Sequence, residues 1–200
     1  MDRIETDSRF DPEAAASLWQ RRAFEKQLLN VIPDLRAVAR FLTRNPTEAD
    51  DLVQDTIVRA LRAHKQFDLN TSMKAWTFTI LRNLRLNGLR KRQFEELDEG
   101  ALMSLQTRAN QEDCIQLKQV LRAMDRLSPA HREVIALIRG AGCSYEEVAQ
   151  IMKCSIGTIK SRLNRADAAL REILGPDFSV DRGKPLATRA EREAVSPSGA

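Results

Sequence analysis

The chain has 200 residues, which is enough for one domain of ordinary size or for two small ones. Hydrophobic residues make up 42% of it and charged residues 30%, so a wholly disordered chain is excluded. The formal net charge of +4 is compatible with a nucleic-acid partner but does not by itself indicate one.

The residue pattern predicts an all-α fold. Glycine and proline are few (8 and 7), and the sequence has no alternating runs of β-branched residues. Residues 1–19 are polar and are expected to form a flexible N-terminal segment. A first helix follows, with apolar residues at three- and four-residue steps from Phe24 to Leu42, and Pro33 predicts a kink or a break within it.

Two further helices are predicted in the N-terminal half. Asn45 is a predicted N-cap with a proline in the first turn, and its helix should reach about His64. The apolar stripe of this helix is predicted to be Leu52, Val53, Ile57, Ala60 and Leu61. After a loop, a third helix is predicted from Met73 to about Lys91. Residues 94–112 are acidic and weakly periodic, which predicts a flexible linker.

The C-terminal half is predicted to contain four helices. The first starts near Asp113, and Ser128 caps the second. The segment "SYEE" has the pattern of a capping box and begins a short third helix. After a three-residue break, a basic fourth helix is predicted to reach about Leu174. Residues 176–200 are expected to form a disordered tail.

The last two predicted helices have the pattern of a helix-turn-helix, in which a short capped helix precedes a longer basic one. In the second helix, Ile156, Ile159 and Leu163 are predicted to face inward. Groups that can bind phosphates or base edges follow the N-cap Ser155 on the opposite face: Thr158, Lys160, Ser161, Arg162, Asn164 and Arg165. The alternative is a merely solvated basic face, and the order of the two capped helices favours DNA reading.

The predicted helix at Met73–Arg92 carries a second kind of candidate chemistry. Trp76 and Phe78 lie near a run of cations, with Asn83 and Asn87 among them. Aromatic rings can stack on bases, cations can hold phosphates, and asparagine can read an exposed base edge, which together suit single-stranded nucleic acid. The alternative is that both aromatic residues belong to the core and that the cations are only solvated.

An acidic cluster lies on the second predicted helix, at Asp50, Asp51, Gln54 and Asp55. Such a run usually marks a solvated face. It can also dock on a basic protein partner, because complementary charge steers association. The residues alone leave both interpretations open.

The sequence disfavours several other classes of site. The three cysteines are widely spaced and only two histidines accompany them, so no metal site, disulfide framework or cofactor is expected. Neither catalysis nor a small-molecule substrate is expected, because the sequence has no glycine-rich phosphate loop and no paired nucleophile and base. We recognise no signal peptide and no apolar run of membrane-spanning length, which predicts a cytoplasmic protein without membrane contact.

Four segments together resemble a known family. They are "ADDLVQDTIVRAL", "MKAWTFTILRN", "LSPAHREVIAL" and "GCSYEEVAQIMKCSIGTIKSRLNRA". In this order they are similar to bacterial extracytoplasmic-function sigma factors over residues 22–175, and they look most like the alphaproteobacterial general-stress subgroup. The resemblance implies two small helical domains, with residues 20–93 as sigma region 2 and residues 113–175 as the helix-turn-helix region 4.

The resemblance also implies partners and residue roles. Core RNA polymerase would be bound by Asp50, Asp51, Gln54 and Asp55. The partly single-stranded −10 promoter element would be held by Phe67, Asn70, Met73, Lys74, Trp76, Arg82 and Asn83. A double-stranded, GGAAC-like −35 element would be read by Ser155, Thr158, Lys160, Ser161, Arg162, Asn164 and Arg165. An anti-sigma factor is the further partner implied, and Thr77 departs from the leucine often found at this place in the family.

The implied function is that of an alternative sigma factor, which binds core polymerase, recognises both promoter elements and promotes transcription of stress-response genes. The residues also permit an autonomous helix-turn-helix regulator that binds operator DNA without polymerase, commonly as a dimer on two half-sites. The two hypotheses differ in whether DNA recognition depends on polymerase.

Overall fold

The computed structural model describes residues 12–95 and 113–175, with side chains from 18 to 90 and from 119 to 175. All regular elements in these ranges are helical, which confirms the predicted all-α class. The first eleven residues, most of the predicted linker and the predicted C-terminal tail lie outside the described residues. The helices are α1 (Pro12–Thr43), α2 (Pro46–Arg62), α3 (Met73–Glu95), α4 (Asp113–Asp125), α5 (Pro129–Ile135), α6 (Tyr145–Met152) and α7 (Ile156–Leu174).

Helices α1, α2 and α3 pack against one another and form the N-terminal bundle, residues 12–95. Leucine, valine and phenylalanine side chains from all three helices fill its centre, where burial of apolar surface is the main stabilising term. The members of this core that are no more than 2% exposed include Leu35, Val38, Val53, Phe78 and Leu81. Phe78 is therefore a core residue, as one of the two interpretations of the sequence predicts.

Helix α1 differs from the prediction at its start and in its middle. It begins at Pro12, inside the segment predicted to be flexible, and proline suits the first helical position because its missing N–H has no partner there. It also continues through Pro33, so the predicted break is wrong. The residues on either side, Val31 and Leu35, are buried, and their packing outweighs the lost backbone hydrogen bond.

Helix α2 begins where the sequence predicts. The side-chain oxygen of Asn45 accepts hydrogen bonds from the N–H groups of Thr47 (3.0 Å) and Glu48 (3.3 Å), which confirms it as the N-cap. The helix ends at Arg62, two residues before the predicted end. Leu61, predicted to face inward, is 44% exposed, so that part of the prediction is wrong. It lies in the last turn of α2, beyond the buried Ala60.

Helices α4 to α7 form the C-terminal bundle, residues 113–175. The hydroxyl of Ser128 accepts from the His131 N–H (3.3 Å) and caps α5, as predicted. Helix α5 runs directly into a π-helical turn at Ala136–Gly140, and α7 ends before Gly175. Side chains from α5, α6 and α7 meet in the core, with Val134, Val148, Ile151 and Ile159 no more than 1% exposed.

The two bundles also pack against each other, which the sequence does not predict. Helix α3 lies against α6, and α1 lies against the π-helical turn. This contact brings the N-terminal ends of α3 and α6 together, and it determines which candidate site residues remain open to solvent.

Candidate nucleic-acid interface

The helix-turn-helix is formed by α6, a short turn and α7. The Ser144 N–H donates to Glu147 Oε2 (2.7 Å) and the Glu147 N–H donates to Ser144 Oγ (3.1 Å), so the predicted capping box is confirmed. Lys153 takes the left-handed conformation (φ +52°) that ends α6, and the Cys154 N–H closes the turn on the Ala149 carbonyl (3.1 Å). These contacts set α7 at a fixed angle to α6.

Helix α7 has one buried face and one polar face. Ile159 and Leu163 are buried as predicted, whereas Ile156 is 39% exposed and the prediction for it is wrong. Ile156 occupies the first helical position, one turn before the residues that reach the core. The polar residues Ser155, Lys160, Ser161, Asn164 and Arg165 are exposed, and Thr158 and Arg162 are half-buried.

The start of α7 can attract an anion. Ser155 caps the helix by accepting from the Thr158 N–H (3.2 Å), and the first turn contains no acidic residue. Helix N-termini carry a partial positive charge and unpaired N–H groups, and the side chains of Lys160, one turn along α7, and Arg165, more than two turns along it, add full charges to the exposed surface of the helix. Arginine, lysine and asparagine are the residues that pair with guanine and adenine edges in the major groove. The arrangement can therefore hold phosphates and read bases.

Two polar residues of this face, the exposed Lys160 and the half-buried Arg162, contact neighbouring side chains. The Lys160 ammonium lies 5.8 Å from the centre of the Tyr145 ring, which is a cation–π distance. The guanidinium of Arg162 contacts the sulfur of Cys154 at 3.9 Å. Tyr145 is a residue that the sequence analysis did not single out, although its place at the start of α6 was known from the capping box.

The residues that the resemblance assigns to the −10 element fall into three groups. Phe67 and Met73 are buried (9% and 5% exposed), and Trp76 packs at 5.0 Å between ring centroids against Phe67. Asn70 and Asn83 are exposed. The structure therefore brings the aromatic residues together in a cluster that supports the loop before α3, while the asparagines face solvent.

Lys74 and Arg82 form the third group, because both are already paired. The Lys74 ammonium donates to the Ala141 carbonyl (2.6 Å) and lies 2.8 Å from Asp34 Oδ2. The Arg82 guanidinium lies 3.0 Å from Glu133 Oε1, with side-chain exposures of only 20% and 7%. Ala141 and Glu133 belong to the C-terminal bundle, so these two cations hold the bundles together.

The loop before α3 is shaped by Asp68, a residue that the sequence analysis missed. Its carboxylate accepts from the backbone N–H (2.9 Å) and the side-chain amide (3.0 Å) of Asn70, and its carbonyl accepts from the Thr71 N–H (2.9 Å). An aspartate two residues before an asparagine is a turn signal that could have identified it. A cavity of about 570 Å³ opens beside this loop, lined among others by Phe24 and His64.

The acidic cluster is an open surface on α2. Asp51, Gln54 and Asp55 are exposed, and Asp50 is half-buried with an oxygen 3.6 Å from an Arg40 nitrogen. Val58 is 43% exposed and continues the row of exposed side chains at helical spacing toward Leu61. The cluster is therefore an acidic strip with an apolar end. The sequence periodicity did not predict this exposed apolar end, because it assigned Leu61 to the core.

Two other features are absent from the described residues. In that part of the chain, no three histidine, cysteine, aspartate or glutamate side chains are grouped as metal ligands. None of its helices is long and apolar enough to cross a membrane.

Comparison with known proteins agrees with the two-bundle division. The family model for sigma-70 region 2 matches residues 29–95, and the model for sigma-70 region 4 matches residues 117–170. The chain is 39% identical over 165 residues to the ECF RNA polymerase sigma factor EcfG of Rhodopseudomonas palustris, which covers 82% of this chain and 91% of the relative. It is also 30% identical to the sigma factor CnrH of Cupriavidus metallidurans, covering 82% of this chain and 93% of that protein.

Two solved structures are similar to this one. The sigma factor RpoE from Bartonella quintana, in complex with the anti-sigma factor NepR, is 42% identical with a TM-score of 0.70, covering 77% of this chain and 98% of that one. CnrH in complex with the cytosolic domain of CnrY is 30% identical with a TM-score of 0.58, covering 77% of this chain and 88% of that one.

Proposed function

This chain belongs to the extracytoplasmic-function sigma factors of the sigma-70 family, and from that premise we propose which of its surfaces meets each partner. It is an alternative sigma factor, which directs RNA polymerase to promoters. We propose residues 20–93 as the polymerase and −10 unit, residues 113–175 as the −35 unit, and residues 94–112 as the linker. The chemistry of RNA synthesis then belongs to the polymerase, and this chain contributes recognition in the cytoplasm, where polymerase and DNA are.

The observation that carries the proposal is the polar face of α7. Lys160, Asn164 and Arg165 are exposed on the side opposite Ile159 and Leu163, directly after a capped helix start. Placed in the major groove of the −35 duplex, this face offers donors to guanine and an amide to adenine. Ser155, Thr158, Ser161 and Arg162 complete the set, chiefly as phosphate contacts.

The acidic strip on α2 is the proposed polymerase surface. Asp51, Gln54 and Asp55 are exposed together on one face, and the neighbouring Asp50 is held by Arg40. A cationic surface of the polymerase's largest subunit is the complementary partner, because opposite charges speed encounter and fix the orientation of the two proteins. The exposed side chains of Val58 and Leu61 add apolar area at the end of this strip.

The loop before α3 is the proposed −10 site. Asn70 and Asn83 are exposed and can hydrogen-bond to unpaired bases, and Trp76 and Phe67 support the loop from behind. Lys74 and Arg82 are the proposed phosphate contacts once their present partners are released. Trapping unpaired bases draws the duplex toward the open state, because binding energy is gained only when the bases are accessible.

Control by an anti-sigma factor is part of the proposal. The structural relative RpoE is in complex with the anti-sigma factor NepR, and the relative CnrH is in complex with the cytosolic domain of CnrY. The 42% identity to RpoE, together with the match to EcfG, supports a NepR-like partner and a role in stress-responsive transcription.

Two charge variants test whether the surfaces act separately. Asp51→Lys should lower the affinity for core polymerase at least about tenfold and leave binding of a −35 duplex unchanged, because α2 and α7 are different surfaces. Arg165→Ala should leave the affinity for core polymerase unchanged and weaken binding of the −35 duplex by about 1–3 kcal/mol. Affinities are measured by fluorescence anisotropy with labelled duplex and by titration of labelled core enzyme.

Controls for these variants lie on the same bundles. Glu25→Lys reverses the charge of a half-buried glutamate on α1 that pairs with Arg21, far along the sequence from the acidic strip of α2, and Arg171→Ala removes an exposed arginine near the end of α7. Both should behave like the unmodified protein in both assays. Loss of core binding in Arg165→Ala, or unchanged core binding in Asp51→Lys, contradicts the proposed division of surfaces.

A further inference from the structure

The contact between the two bundles uses the same side chains that the proposed function assigns to promoter DNA. Lys74 and Arg82 lie on α3 in the proposed −10 set, and both have partners in the C-terminal bundle. A cation that is bound to a protein carboxylate or carbonyl is not free to bind a DNA phosphate. The arrangement of the bundles therefore bears directly on whether the −10 surface is available.

Glu133 is the centre of this contact. It lies on α5 but is only 5% exposed, and its carboxylate is 3.0 Å from the Arg82 guanidinium of α3. The charge of this carboxylate is also felt by Arg85, one turn further along α3: burial lowers the pKa of the Arg85 guanidinium, and the charge of Glu133 acts against that shift. A buried carboxylate paired with a guanidinium group imitates the way in which a DNA phosphate is held.

A second carboxylate joins the ends of two helices. The Ser72 hydroxyl accepts from the Ala75 N–H (3.1 Å) at the start of α3 and donates to Glu147 Oε1 (2.5 Å). The other oxygen of Glu147 closes the capping box of α6 (2.7 Å). One glutamate thus connects the start of α3 to the start of the helix-turn-helix. The Lys74 contact with the Ala141 carbonyl lies beside it, and Arg44 pairs with Asp125 at a further point between the bundles.

We propose that the C-terminal bundle holds this sigma factor in an autoinhibited, closed state, in which Glu133 and Glu147 occupy the α3 surface that otherwise binds the −10 strand. The proposal rests on the function proposed above. Separation of the two bundles removes Glu133 from Arg82. This separation is unfavourable unless another anion takes the place of the Glu133 carboxylate. The phosphates of an unpaired strand are such anions, so promoter opening and bundle opening favour each other by linkage.

The test compares full-length protein with Glu133→Gln, which keeps the shape of the side chain and removes its charge. Two quantities are measured: the radius of gyration in solution by small-angle X-ray scattering, and the affinity for a fluorescent single-stranded −10 oligonucleotide. Glu133→Gln should increase the radius of gyration and raise oligonucleotide affinity about three- to tenfold. Glu172→Gln, which removes an exposed charge on α7, controls for net charge and should change neither quantity.

A second variant keeps the test decisive if Glu133→Gln has lost helix content by circular dichroism. Glu147→Gln retains the capping box, because glutamine also serves at that position, and it should shift both quantities in the same direction by a smaller amount. Unchanged radius and affinity in the folded variants overturn the closed state. A larger radius without a gain in affinity overturns the masking of the −10 surface.

These outcomes are distinct from a failure of the proposed function. Promoter-directed transcription by the unmodified protein measures that function on its own. If the unmodified protein transcribes while the glutamine variants match it in radius and oligonucleotide affinity, only the autoinhibition proposal fails.

Discussion

Cys143 shows how the environment of a single side chain decides its chemistry. It lies in the loop between the π-helical turn and α6, with 4% of its surface exposed, and its N–H donates to the Leu137 carbonyl (3.0 Å). Burial raises the pKa of its thiol to about 12, and the carboxylate of Glu147 acts in the same direction. The thiol therefore stays protonated at neutral pH and functions as a small apolar residue.

The raised pKa of Cys143 predicts a pH effect on stability. The thiol is more acidic in the unfolded chain (pKa 9.0) than in the folded protein (about 12), so its contribution to stability is complete below pH 9 and is lost as the pH rises toward 12. The stability advantage of the unmodified protein over Cys143→Ala should fall above pH 9, with a slope approaching about 1.4 kcal/mol per pH unit. Urea unfolding of both proteins at pH 8 and pH 10 measures this difference in stability. A difference that does not change with pH contradicts the raised pKa of Cys143.

The core of the N-terminal bundle predicts a contrast between two leucines of α1. Leu35 is fully buried, so Leu35→Ala should lower the free energy of unfolding by about 2–5 kcal/mol through lost burial and a cavity. Leu29 is 65% exposed on the same helix, and Leu29→Ala should change it by less than about 0.5 kcal/mol. Chemical denaturation followed by circular dichroism compares the two. Similar losses in both variants contradict the described packing of α1.

At the scale of helices, the sequence predicts where a helix begins better than it predicts which face of the helix is buried. The caps of α2, α5, α6 and α7 could be predicted because each cap side chain and its N–H partner lie within three residues of each other. Leu61 and Ile156 were assigned to the wrong face, because their exposure depends on what lies beyond the end of the helix. The break allowed for at Pro33 is absent for a related reason, since α1 continues through this residue with packing on both sides that no local pattern reveals.

At the start of α7, the contribution of Ser155 to stability can be measured separately from its proposed contact with DNA. Ser155→Ala should remove the cap and lower the free energy of unfolding by about 1 kcal/mol. Ser155→Asp keeps a cap and suits the helix dipole, so its stability should match that of the unmodified protein, but its charge should repel phosphate and weaken −35 duplex binding. Thermal unfolding and duplex titration are both needed. If Ser155→Asp binds the duplex as tightly as the unmodified protein, the start of α7 is not at the phosphate backbone.

At the scale of the whole molecule, the contact between the bundles is the feature that the sequence could not predict. The pairs Arg82–Glu133 and Ser72–Glu147 join residues about fifty or more positions apart, and each partner alone reads as an ordinary polar residue of its own helix. The resemblance proposes which residues form the −10 set, but the division of these residues into buried aromatic residues, exposed asparagines and paired cations follows only from the packing. Local patterns therefore predict which helices form, and long-range contacts determine which of their residues are accessible.

The central claim is that this chain directs RNA polymerase to a promoter, and run-off transcription tests it most directly. Purified, sigma-free core polymerase is combined with the protein on a linear template carrying a GGAAC-like −35 element, and on a second template in which that element is scrambled. We expect a discrete transcript from the first template only, and its loss with Asp51→Lys. No transcript from any such promoter, together with tight binding to operator DNA in the absence of polymerase, would contradict the account.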